Sequence, residues 1–471
     1  MADYKKLFKG KKITIMGLGL LGRGLGYTKF LAECGAELIV TDLKTEEQLA
    51  NSVKALSKFT HSTTLRAGKI KFVLGEHRLE DFRNRDMIIK AAGVPMDSIY
   101  IEEAKKNNIP IEMDVSLFAK CAPEVKIVGV TGTRGKSMTT TIIYEILSKC
   151  IKDRNVHIGG NIRGVATLPL LKKVSSTSLG TSKAHDILVC ELDSWQLQGF
   201  SDSKISPNIS VFTSFMPDHM NYYKNSMEDY FADKAGIYKN QTKKDTLIIR
   251  PDMRKLISKK DVTGKLVVVN TKEVDSWKFN VPGSHQRENL ACAVEVAKQF
   301  KIPITKIKKV VKDFKGVEGR LQLFRVCNGV KIYNDNNATT PEATIAGLEA
   351  LTQPEVRLRA SPKSDFGPKI ILICGGSDKK LDLTNFVKAV NKSCKFVSLI
   401  PGTGTDILLK DYDLKVPNEV GAHLKQVVDN AVKNAKKGDI ILFSPAFASF
   451  GMFNNEYERN DLFMKIIKKL K

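Results

Sequence analysis

The sequence predicts an α/β protein of three domains: a Rossmann-like N-terminal domain, a central P-loop-type mononucleotide-binding domain with a mainly parallel sheet, and a Rossmann-like C-terminal domain. Three observations carry this. Short apolar runs recur, and each ends in glycines or small polar residues that lead into a helical pattern. Two of these junctions are glycine-rich in different ways, Gly17-Leu18-Gly19-Leu20-Leu21-Gly22 and Gly132-Thr133-Arg134-Gly135-Lys136-Ser137. A length of 471 residues leaves room for two to four domains with full cores.

The first domain is expected over residues 1–122. Lys-Ile-Thr-Ile-Met at 12–16 reads as a strand, followed by the G-x-G-x-x-G turn and a helix to about Cys34. Residues 37–41 read as a second strand ending at Asp42, an acid about 20 residues beyond the glycines. Such a start marks a close-packed helix or a bound pyrophosphate. Asp42 then accepts from a ribose or uracil group, or is a plain polar strand end. Further strands are expected near 70–74, 87–90 and 109–111.

The central domain is expected over 123–316. Val125–Val130 reads as a buried strand, and Met138 to Cys150 carries apolar residues at helical spacing. Between them the two glycines let backbone N–H groups approach phosphate oxygens. Lys136 supplies a cation, and Ser137 a hydroxyl suited to magnesium. Ile158–Ile162 reads as a glycine turn and Lys172–His185 as a surface loop. Ile187–Cys190 reads as a strand with Glu191 at its end, where a carboxylate beside a phosphate loop is placed to hold magnesium. Asn208–Thr213 reads as a strand leading to Asp218-His219. His219 is a metal ligand, a substrate contact or a structural histidine. Residues 230–238 look helical and carry Lys234. Gln286 and Asn289, three apart, share a helical face before Leu290–Phe300 and either read a base edge or cap that helix.

The third domain is expected over 317–471. Strands are read at 330–333, 370–374, 396–400 and 440–443, and a helix from Thr340-Pro341 to Leu351. Gln353–Pro368 reads as a loop. The strand ends gather their loops at one sheet edge.

Composition narrows the class. Hydrophobic residues make up 42% and charged residues 27%, as in a soluble globular protein. No apolar run reaches the length of a membrane span, and no signal peptide opens the chain, so a cytoplasmic protein without stable membrane insertion is expected. The eight cysteines form no C-x-x-C pair and are read as buried reduced thiols. The net charge is +24, but the lysines are dispersed and aromatics are only 7%. An anionic nucleotide substrate, rather than nucleic acid, is the expected partner.

In order along the chain stand G-T-x-G-K-S, E-L-x-S-W-Q-L, D-H-M, K-x-x-I-Y, an arginine at Arg320, N-D-x-x-A-T, G-G-x-D-K and S-P-A-x-A-S. Together with the G-L-G-L-x-G start, this series resembles the Mur ligases of peptidoglycan precursor synthesis over nearly the whole chain. The resemblance implies a domain each for a UDP-substrate, ATP and an incoming amino acid. It implies ATP-dependent addition of D-glutamate to UDP-N-acetylmuramoyl-L-alanine through an acyl phosphate, by a monomer using two Mg2+ ions. Lys136, Glu191, His219 and Lys234 would be catalytic. Ser137 and Glu191 would hold one Mg2+, and His219 with a carbamylated Lys234 the other. ATP would meet Gly132 through Met138, with Gln286, Asn289, Arg320 and Asp335. Leu20, Leu21, Asp42 and Asn161 would meet the UDP-substrate, and Thr339, Lys379 and Ser449 the glutamate. This chain departs from the family pattern at Arg134, Asp193, Gln286, Asn337 and Glu456. Those departures leave open a sibling ligase with another acceptor, Mur or folylpolyglutamate type.

Overall fold

The computed structural model describes residues 4–60, 69–177, 185–352 and 370–470. Three sheets organise them. The first orders β1 (Lys12–Met16), β2 (Glu37–Asp42), β3 (Ile70–Leu74), β4 (Met87–Lys90) and β5 (Ile111–Glu112) as β3-β2-β1-β4-β5, all parallel. The second orders β6 (Lys126–Thr131), β7 (Val156–Gly160), β8 (Ile187–Glu191), β9 (Ile209–Phe212), β10 (Thr246–Ile249) and β11 (Lys265–Val268) as β11-β10-β9-β6-β8-β7, again all parallel. The third consists of β12 (Gln322–Cys327), β13 (Val330–Asn334), β14 (Ile370–Gly375), β15 (Cys394–Ile400), β16 (Asn418–Val420) and β17 (Ile440–Phe443). Its order is β12-β13-β17-β14-β15-β16, with only β12 antiparallel.

Parallel strands are covered on both faces, which is why they read as continuous apolar runs. In β14, Ile370, Leu372 and Cys374 enter one core, while Ile371 and Ile373 enter the core on the other side. In the first sheet Ile13 and Ile15 point into a core that continues beneath the second sheet, whereas Met16 and Ile88 point the other way. The chain forms two compact units. One is Met1–Glu273 with Asn289–Ile307 and holds the first two sheets; the other is Val274–Glu288 with Lys308–Lys471 and holds the third. Among the described residues no helix is long and apolar enough to cross a membrane, and the eight cysteines are free thiols.

Two expectations need correction. Ile158–Gly160 belongs to β7 rather than to a turn. The glycine there serves close packing: a Cβ on Gly160 would lie 2.0 Å from the carbonyl oxygen of Glu191 on β8. The stretch read as a surface loop from Lys172 begins inside a helix, Leu171–Thr177, and residues 178–184 lie outside those described. The loop expected at Gln353–Pro368 also lies outside the described residues.

Candidate active site

In the first unit the strand–turn–helix at Thr131–Lys136 is built as the sequence anticipates. β6 ends at Thr131 and the helix Lys136–Cys150 begins after Gly135, whose φ is 87°. Its left-handed φ favours glycine, and a Cβ there would lie 2.3 Å from Asn289 Oδ1. Asn289, expected at the nucleotide, therefore packs directly on the turn. The turn is held from β9 as well. Ser214 O accepts from Thr133 N (2.8 Å), Ser214 Oγ accepts from Arg134 N (2.9 Å), and Thr213 Oγ1 donates to Arg134 O (2.6 Å). This hydroxyl pair went unread in the sequence. Its signal was two small polar residues at the C-terminal end of a strand next to the phosphate-turn strand.

Two lysines meet at this turn. Lys136 Nζ donates to Gly132 O (3.0 Å) and Thr133 O (3.1 Å), and Lys234 Nζ donates to the same Gly132 O (3.0 Å). Lys234 sits on the helix Met227–Lys239, its side chain buried over the Tyr230 ring at 4.7 Å. Burial first, then the Lys136 charge, lowers its pKa from 10.5 to about 7. Tyr230 links three of these parts. Its hydroxyl lies 3.3 Å from Thr133 Oγ1, and its ring stands edge-on to His219 at 6.3 Å.

His219 adopts a left-handed φ of 56° and its carbonyl accepts from Tyr222 N and Tyr223 N, so a tight turn fixes it. Its ring lies 4.7 Å from that of Trp195. Burial lowers its pKa, Asp218 opposes this, and Lys136 and Lys234 add to it. Glu191 ends β8 in register with Val130 of β6, so the carboxylate is placed at the same sheet edge as the turn. Ser137 is the second residue of the helix, and Met138 is buried beneath it. Arg134 pairs with Asp218 (3.8 Å). Asp193 accepts from Gln196 N (2.8 Å) and caps the helix Ser194–Asp202, a task that its carboxylate performs as well as a hydroxyl would. Among the described residues no group of three or more His, Cys, Asp and Glu gathers as a metal cluster.

At the first sheet, Asp42 Oδ2 accepts from Gly19 N (2.9 Å) and Oδ1 from Lys44 N (2.9 Å), tying the glycine turn to the end of β2. Leu20 is exposed, and Leu21 O accepts from Gly164 N (3.0 Å), three residues beyond Asn161. The structure thus brings Leu20, Leu21 and Asp42 to the segment that carries Asn161.

In the second unit Gln286 Nε2 lies 3.1 Å from His285 Nε2. Asp335 accepts from Leu321 N (2.9 Å) and Ser444 Oγ (3.0 Å), next to Arg320 in the chain's preceding turn. Burial raises its pKa to about 7, against those two hydrogen bonds and the Arg320 charge. Lys379 Nζ donates to Thr339 Oγ1 (3.1 Å), so these two expected acceptor residues meet. Ser449 follows the Ser377–Ala448 bridge that joins their loop to the end of β17. Beneath them Arg459 is 0% exposed. It donates to Asn336 Oδ1 (2.9 Å) and Asn336 O (3.1 Å). Asn336 Nδ2 in turn donates to Asn337 Oδ1 (3.1 Å) and Glu456 O (2.9 Å), so two of the departures share one network.

Known proteins resemble the chain in sequence and in fold. Family models described as the Mur ligase middle domain and the Mur ligase glutamate ligase domain match residues 130–305 and 319–447. A UDP-N-acetylmuramoylalanine–D-glutamate ligase of Borreliella burgdorferi (strain ZS7) is 33% identical across 98% of both chains. The chain belongs to the Mur ligase family. A ligase of the same description from Roseiflexus is 31% identical over 98% of each chain. Among solved Mur ligase structures, the UDP-N-acetylmuramate-alanine ligase of Thermotoga maritima aligns with 97% of this chain and 99% of its own. The TM-score is 0.60 at 19% identity, a likeness of fold. E. coli FolC, solved with DHPP and ADP, aligns with 80% of this chain and 98% of its own at TM-score 0.52 and 16% identity.

Proposed function

We propose that this Mur ligase joins D-glutamate to UDP-N-acetylmuramoyl-L-alanine at the expense of ATP, in peptidoglycan precursor synthesis. The observation that carries this is the 33% identity, across 98% of both chains, to a ligase described by that reaction. A carboxylate is a poor electrophile. Transfer of the γ-phosphoryl group of ATP to it releases ADP and leaves an acyl phosphate. The amine of D-glutamate attacks the acyl carbon, a tetrahedral intermediate forms, and its collapse breaks the C–O bond and expels phosphate.

Lys136, held on Gly132 O and Thr133 O at the turn, would neutralise phosphate oxygens there. The turn from Gly132 to Met138, whose Thr133 and Arg134 amides are held by Ser214, would cradle them, with Asn289, Gln286, Arg320 and Asp335 as further ATP contacts. Ser137 and Glu191 would hold one Mg2+, and His219 with Lys234, once carbamylated to a carboxylate, the other; bound there, the ions would neutralise charge on the transferring phosphoryl oxygens. Lys234 is suited to carbamylation because a buried amine with a pKa of about 7 is substantially neutral at physiological pH, the form that adds to CO2. Leu20, Leu21, Asp42 and Asn161 take the sugar nucleotide, and Thr339, Lys379 and Ser449 the glutamate carboxylates. The domains divide at 1–122, 123–316 and 317–471, and the enzyme works as a cytoplasmic monomer without nucleic acid.

The test is phosphate release from purified protein. Turnover should require UDP-N-acetylmuramoyl-L-alanine, ATP, Mg2+ and D-glutamate together. Release with another amino acid in place of D-glutamate would move the assignment to a sibling ligase. Silence with every amino acid would end it.

A further inference from the structure

We propose that Asp114 is a positioning residue for the sugar-nucleotide cleft, holding the Asn161–Thr167 segment against the Gly17–Gly22 turn through two backbone amides. The inference rests on the proposed function for the identity of the ligand, a nucleoside diphosphate sugar.

Asp114 opens the helix Asp114–Cys121, after the last strand of the first sheet, and is 8% exposed. Its Oδ2 accepts from Thr167 N (2.8 Å) and its Oδ1 from Leu168 N (2.7 Å), residues that follow β7 of the second sheet. A buried carboxylate is costly unless hydrogen-bonded, and here both bonds run to one short segment. That segment is pinned at its other end too. Asn161 N donates to Glu191 O (2.7 Å), and Gly160 N donates to Thr167 Oγ1 (3.0 Å). Its middle lies on the first sheet's glycine turn. Gly164 N donates to Leu21 O, and a Cβ on Gly26, in the helix Arg23–Glu33, would stand 2.6 Å from Ala166 Cβ. The Gly17–Gly22 turn, which carries Leu20 and Leu21 and is tied to Asp42, therefore meets the segment that carries Asn161, and Asp114 holds that segment's far end. Nothing in the spacing of Met113-Asp114-Val115 announces this.

Two variants load the seam from opposite sides. Asp114→Asn keeps the shape but leaves one of the two amides facing an NH2 group. Gly26→Ala presses a methyl group onto Ala166. Steady-state kinetics are measured with ATP and sugar nucleotide varied separately, and UDP binding is titrated by calorimetry. In each variant the KM for the sugar nucleotide and the Kd for UDP should rise about tenfold. The KM for ATP and kcat should stay within about twofold. The double variant should lose less than the product of the singles, since both act on one seam. Unchanged UDP affinity in Asp114→Asn, or an equal decline in ATP parameters and kcat, overturns the inference. If Asp114→Asn fails to fold, Asp114→Ser is titrated in its place, and unchanged UDP affinity there overturns it. A wild-type protein that binds UDP without ligating refutes the proposed reaction, and the UDP titrations of the variants still judge Asp114.

Discussion

Replacing Asp335 with asparagine should make the second unit more stable while making the enzyme worse. The Asp335 carboxyl titrates at about 7 in the folded protein against 3.8 for an ordinary aspartate, with burial the leading cause. A folded-state pKa above the unfolded one means that the folded protein binds the extra proton. The associated stability is complete below pH 3.8 and is lost as pH rises through 7. With these two values the cost of the buried carboxylate is about 2 kcal/mol at pH 5 and about 4 kcal/mol at pH 8. Asparagine has no such cost, and its amide still accepts from Leu321 N and donates to Ser444 Oγ. Weaker hydrogen bonds offset about 1 kcal/mol of this at either pH, which leaves the change with pH at about 2 to 3 kcal/mol. Urea unfolding, followed by the fluorescence of Trp277 in a Trp195→Phe background, reads the second unit. The advantage of Asp335→Asn over its parent should widen from pH 5 to pH 8. An advantage that stays level or shrinks would refute the reasoning.

Gly135→Ala should reduce ATP affinity at least about a hundredfold, because the new methyl group strikes Asn289 Oδ1 and the residue must hold a φ of 87°; equilibrium dialysis with labelled nucleotide checks this. Asp193→Ala should lower the stability of the first unit by about 1 kcal/mol through loss of the helix cap, and Asp193→Ser should recover most of it; thermal unfolding distinguishes the pair. Chelation of Mg2+ with EDTA should stop phosphate release and added Mg2+ should restore it, leaving the far-ultraviolet circular dichroism unchanged.

Long apolar strands and their glycine ends were legible in the chain because parallel strands are buried on both faces. β1, β2, β8, β14 and β17 all fall where the apolar runs are. β10, Thr-Leu-Ile-Ile, and β11, Lys-Leu-Val-Val, are apolar runs that nevertheless went unread, whereas three other strands do not mark the sequence. β16, Asn-Glu-Val, is a short exposed edge. β12 carries a register shift between Leu323 and Arg325 that breaks the two-residue period. β7 ends in two glycines that signal a turn when read alone; Thr167 crowds the first and the Glu191 carbonyl the second. The phosphate turn with Lys136 was legible by local motif. The Thr213–Ser214 clamp, the Lys136–Lys234 encounter at Gly132 O and the Asp114 seam depend on which strand ends lie side by side, and spacing does not reveal that.

Arg459 has a bearing on how the protein is made. Its guanidinium, entirely enclosed, fastens Asn336 across a sequence separation of 123 residues. A nascent chain therefore exposes the loop that carries Asn336 long before the side chain that anchors it has left the ribosome. The loop from Asn336 to Thr339 is in this sense the last piece of the third sheet to be finished, and stalled or clipped chains that lack the final helix carry it slack.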